Sequence, residues 1–82
     1  MYQIVLGKKA EKDLNGIDER YKPRIVAALF ELRNNPQKGK SLKGKLKGLY
    51  SFKVYPYRII YKIYKKRLLI FVIQIGHRQG MY

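Results

Sequence analysis

The stretch LYSFKVYPYRIIYKIYKKRLLIFVIQI, residues 49–75, decides the fold. Leu49 to Tyr55 alternates apolar and polar side chains, and the alternation resumes from Tyr57 to Tyr64. In the second run Tyr57, Ile59, Tyr61 and Ile63 fall on one face, with Arg58, Ile60, Lys62 and Tyr64 on the other. A period of two is the signature of a β-strand. Pro56 marks the connection, and Lys65-Lys66-Arg67 makes a basic turn into Leu68 to Ile75. That last run is almost continuously apolar, the pattern expected of a central strand buried on both faces. Residues 49–75 therefore read as a three-strand meander.

Working outward, YQIVL (Tyr2 to Leu6) reads as a short strand. KKAEKDLNGI follows, with Ala10, Leu14 and Ile17 at helical spacing and Gly16 helping to end the helix. Asp18 is the expected N-cap of a second helix running to about Asn34, with Ile25, Ala28, Leu29 and Leu32 as its apolar stripe. Pro23 has to sit in its first turn, and Asn34-Asn35-Pro36 stops it. The expected fold is α+β, a single domain over residues 1–82 in the order strand–helix–helix–three-strand meander. Both helices pack on one face of a small, mostly antiparallel sheet. The other face is left open and basic.

Charge bounds the function. The chain carries 19 Lys+Arg against 5 Asp+Glu, a formal net charge of +14. All five acids (Glu11, Asp13, Asp18, Glu19, Glu31) lie in the first 31 residues, and thirteen Lys/Arg fill the remainder without one carboxylate. Such a field repels itself and calls for a polyanionic or acidic partner. With no cysteine and one histidine, disulfide frameworks and thiolate metal sites are excluded and other metal sites are poorly supported. No apolar run is long enough to span a bilayer and no signal-peptide pattern opens the chain, so a cytoplasmic protein is expected.

Between helix and meander lies a basic loop, QKGKSLKGKLKG, with Lys38, Lys40, Lys43, Lys45 and Lys47. Its GKS is not a phosphate-binding loop: the required upstream glycine is Asn34, and the flanking strand and helix are missing. A Ser/His/Asp triad fails because no acid in the basic half can orient His77. Phosphoryl transfer on RNA suits the composition better, since positioning and electrostatic stabilisation carry most of such chemistry. Lys53, Arg58 and Arg78 could converge on one phosphate, with His77 and Tyr82 for proton transfer or base stacking. Lys43, Lys45, Lys47 and Lys62 are candidate RNA contacts. Each has a plainer use: Lys53 as an edge-strand lysine, Arg58 covering tyrosine faces, His77 and Tyr82 as tail residues. Composition alone supports a basic, nucleic-acid-associated single domain.

Over nearly its whole length the chain resembles the RelE/ParE superfamily of toxin–antitoxin toxins, the RelE side in particular. LKG before the first meander strand, LYSFKVYPYRIIYKI across the hairpin and LIFVIQIGHRQGMY at the end carry the resemblance. YRIIY followed at short distance by VIQIGHR and a closing tyrosine is its most specific part. The resemblance implies a cofactor-free, metal-independent endoribonuclease acting on mRNA in the 30S ribosomal A site. It also implies neutralisation by an acidic, RelB-like antitoxin. Lys53 and Arg58 would bind and stabilise the phosphate, Arg78 would aid the leaving group, and Tyr82 would act on the 2′-OH. Two positions depart from the pattern: Ser51 stands where a first lysine is expected, and His77 precedes Arg78 in place of a lysine. A ParE-like poison of DNA gyrase and a non-catalytic RNA-binding module share the same general features.

Overall fold

The computed structural model describes residues 1–77. Strand β1 (Gln3–Leu6) leads through Gly7 into helix α1 (Lys8–Gly16), and α2 (Lys22–Asn34) follows. A two-residue strand, β2 (Lys40–Ser41), precedes the meander of β3 (Leu49–Val54), β4 (Tyr57–Tyr64) and β5 (Leu69–His77). The sheet order is β1-β5-β4-β3-β2, with β1 parallel to β5 and the other pairs antiparallel. The expected α+β architecture and the mostly antiparallel sheet are therefore found.

The helices cover one face. Ala10, Ile17, Ile25, Ala28 and Leu32 meet Val54, Ile59, Tyr61, Ile70, Val72 and Ile75 in one buried cluster. The α2 stripe is the expected one, and Pro23 does sit in the first turn. Asp18 does not cap α2. Its carboxylate accepts from the Arg20 amide (2.9 Å) and side chain, so it caps a separate turn, and the helix starts at Lys22. Hydrogen bonding by Arg20 holds this exposed carboxyl below its ordinary range. On α1, Asp13 reaches the sheet, its carboxylate accepting from the Ile75 amide at 3.0 Å. That amide lies past the last β1–β5 pair, Leu6 with Val72, where β1 no longer supplies acceptors.

Strand β5 differs from the expected doubly buried strand. It is an interior strand, but β4 is the central one. Its register against β4 shifts between Ile60 and Tyr61: Ile60 faces Gln74, while Tyr61 faces Val72. Ile73 is thus the extra residue of a β-bulge, which reverses the side-chain parity of the strand beyond it. Ile70, Val72 and Ile75 point into the core, whereas Leu69, Phe71, Ile73 and Gln74 are half-buried. The continuous apolar run records this change of phase, not burial on two sides.

Tyr61 ties the sheet to the segment before β2. Fully buried, it stacks on Tyr50 with centroids 5.4 Å apart. Its hydroxyl donates to the Pro36 carbonyl at 2.7 Å and accepts from the Gly39 amide at 3.0 Å. Only glycine fits at 39, because a Cβ there would lie 2.9 Å from two Tyr61 ring carbons.

Candidate functional site

The side chains on the face away from the helices follow from the register. Lys53 on β3 pairs with Arg58 on β4, and Arg58 pairs with Gly76 on β5. One row along the strands, Lys40, Ser51, Ile60 and Gln74 lie side by side on β2, β3, β4 and β5. In the next row Leu49 faces Lys62, which faces Phe71. Neighbouring strands lie about 5 Å apart, so each row brings its side chains within mutual reach. None of the described helices covers this face, yet its centre is not fully open: Ser51 and Ile60 are 7% and 3% exposed.

A concave site of about 520 Å³ opens here, lined among others by Lys38, Lys40, Ser51, Lys53 and Arg58. Among the described residues no carboxylate side chain lines it. Lys53 and Lys40 are exposed and Arg58 is half-buried. Lys38 is ion-paired to Glu31 of α2. Cations held at fixed positions on paired strands make a site for a phosphate group.

The other predicted residues fall elsewhere. Lys43, Lys45 and Lys47 flank and occupy a short 3-10 turn, Gly44–Leu46, at the opposite end of β3 from Lys53. Lys62 lies near that end, its ammonium 5.1 Å from the Tyr64 ring centre. His77 is not brought to the Lys53–Arg58 pair. It sits opposite Tyr57 and meets that ring edge-on at 5.8 Å, on the helix side of the sheet. There it lines a hollow of about 780 Å³ with Lys8, Lys9, Lys12 and Asp13 of α1. The bulge at Ile73 is the cause, since unbroken alternation from Ile70 would have sent His77 to Arg58's face. Arg78 and Tyr82 lie outside the described residues.

Sequence reasoning missed Lys40 as a site residue. Its signal was weak because the two residues of β2 lie in a lysine-rich loop with no strand pattern of its own.

Residues 4–82 match the family described as ParE toxin of type II toxin-antitoxin system, parDE. The chain belongs to the RelE/ParE toxins. Toxin RelE of Mycobacterium tuberculosis is 31% identical over 83 residues, covering 99% of this chain and 86% of that protein. Among solved structures, the toxin–antitoxin complex RelBE2 from M. tuberculosis superimposes with a TM-score of 0.88 at 26% identity. The alignment covers 94% of this chain and 98% of that one. The isolated E. coli RelE toxin has the same fold, with a TM-score of 0.81 at 21% identity over 94% and 84% of the two chains. A RelE/ParE toxin of this kind is one half of a type II toxin–antitoxin system.

Proposed function

We propose that this toxin is an endoribonuclease that cuts mRNA in the ribosomal A site of the cytoplasm. The observation that carries the reading is the pairing of Lys53 with Arg58 on a sheet face whose described residues hold lysines and an arginine but no carboxylate side chain around that pair. In the reaction a ribose 2′ oxygen bonds to the adjacent phosphorus as the bond to the 5′ oxygen breaks. The products are a 2′,3′-cyclic phosphate and a free 5′-OH. Negative charge builds on the phosphoryl oxygens, and Lys53 and Arg58 stabilise it from rigid strands. The Arg58 guanidinium offers the fork that suits two phosphoryl oxygens. By family resemblance Tyr82 acts on the 2′-OH and Arg78 aids departure of the 5′ oxygen. His77, packed on Tyr57 across the sheet, is given no step.

The partner proposed for the toxin is an acidic, RelB-like antitoxin, in keeping with the +14 charge and with the complex that the M. tuberculosis relative forms. A groove between β1 and α2, with Val26 and Phe30 on its wall at 41% and 56% exposure, suits the apolar stripe of such a segment.

Removing one preorganised transition-state donor typically costs about 10²–10³ in rate, and Arg58→Ala should cost as much in mRNA cleavage while the chain stays folded. Undiminished cleavage by Arg58→Ala would refute the assignment. The ParE description of the family favours a second reading, a gyrase poison. That reading is supported instead if the wild-type toxin leaves mRNA intact and traps cleaved DNA on gyrase.

A further inference from the structure

The cleft contains two cations to which the sequence assigns no role, Lys38 and Lys40, and Lys38 is ion-paired to Glu31. Lys40 stands on β2 directly opposite Ser51, the position where the resemblance leads one to expect a lysine. Lys53 lies two residues further along β3, hence diagonal to Lys40 on the same face. Diagonal neighbours across an antiparallel pair are about 7–8 Å apart, a gap that two lysine side chains close easily. Between them Ser51, buried and small, leaves the floor of the cleft low.

A two-residue strand would be a poor anchor by itself, but β2 is fixed at both ends. On one side the Tyr61 hydroxyl holds Pro36 and Gly39. On the other the Leu42 amide donates to the Leu49 carbonyl at 2.9 Å. Lys38 is already engaged by Glu31, whereas Lys40 forms no ion pair among the described residues. Lys40 also stands in the row between Lys62 and the Lys53–Arg58 pair, so the cations form a track along the strands.

We propose that Lys40 builds a second phosphate subsite: it binds, with Lys53, the internucleotide phosphate next to the one held at Arg58, and so stands in for the lysine that Ser51 replaces. The ligand is the backbone of single-stranded RNA. This inference rests on the endoribonuclease reading for its substrate class, but it is a claim about phosphate binding and is tested as such.

The probe is a short single-stranded RNA with every ribose 2′-O-methylated, which can bind but cannot be cut. Its affinity is measured by fluorescence anisotropy across a range of KCl concentrations. Each phosphate contact contributes about 0.7 to the slope of log K against log salt on single strands. Lys40→Ala should lower that slope by about 0.7, Lys40→Arg should keep it, and Lys12→Ala on the helix side should leave it unchanged. An unchanged slope in Lys40→Ala, or no binding by the wild type, overturns the proposal. Cleavage of unmodified mRNA in a translating extract is read separately. Wild-type cutting with an unaltered Lys40→Ala slope sinks the subsite alone. A lowered slope without cutting sinks the nuclease reading and leaves the subsite standing.

Discussion

Replacing Tyr61 by Phe removes one oxygen and little else. The ring keeps its packing on Tyr50 and its place in the core. What is lost is the 2.7 Å bond to Pro36 and the 3.0 Å bond from Gly39, and both backbone groups are left without that partner. At about 1 kcal/mol net per bond, with a further contribution from groups stranded away from water, the loss is about 2–3 kcal/mol. For a domain of this size 1 kcal/mol is worth roughly 4–8 °C, so the melting temperature should fall by about 10–20 °C. The difference should also depend on pH. Burial pushes the Tyr61 hydroxyl up to about 12, against the backbone bond from Gly39, which favours ionisation. In the unfolded chain it ionises near 10. The folded-state value is raised, so this contribution is intact below pH 10 and is lost as pH climbs toward 12. Two pH units correspond to about 2–3 kcal/mol, so the gap between wild type and variant should narrow over that interval. Thermal melts of both proteins at pH 7.5, and denaturant melts at pH steps from 10 to 12, read both effects. A change under about 3 °C at neutral pH, with parallel alkaline limbs, would refute the role given to the hydroxyl.

Other substitutions probe the scaffold around the site. Gly39→Ala forces a methyl group against the buried Tyr61 ring and should cost about 1–3 kcal/mol of stability by chemical denaturation. A neutral result would mean the close approach is relieved without effort. Asp13→Ala strips the Ile75 amide of its acceptor and should cost about 1–3 kcal/mol, with faster hydrogen exchange at Ile75. Unaltered exchange there would dismiss the link between α1 and β5. Leu68 is half-exposed in the left-handed region (φ 51°, ψ 49°), which costs about 1–2 kcal/mol for a residue with a Cβ. Leu68→Gly should therefore raise the melting temperature by a few degrees despite glycine's entropy, and a lowered one would count against strain at this turn.

The sequence made legible what periodicity encodes. Alternation at Tyr57, Ile59, Tyr61 and Ile63 placed β4 and its two faces correctly, and the stripe Ile25, Ala28, Leu29, Leu32 placed α2. Lys53 and Arg58 could be assigned together because the hairpin about Pro56 sets their register. Three features lie beyond periodicity. The bulge at Ile73 depends on pairing with β4, and an all-apolar run carries no mark of where its phase changes. His77 was consequently expected on the wrong face. Strand β2 depends on pairing with β3 and on Tyr61, far along the chain, which holds the segment before it, so Lys40 looked like one loop lysine among five. Asp18 had the chemistry of a helix cap, but Arg20 drew its carboxylate into a turn of its own.

The most direct measurement maps mRNA ends by primer extension in a translating extract given either wild-type toxin or Arg58→Ala. The expected result is new 5′ ends within coding sequence for the wild type, reduced at least a hundredfold for Arg58→Ala. Translational arrest without new ends, or equal cutting by both proteins, would contradict an RNA-cleaving site built on Arg58.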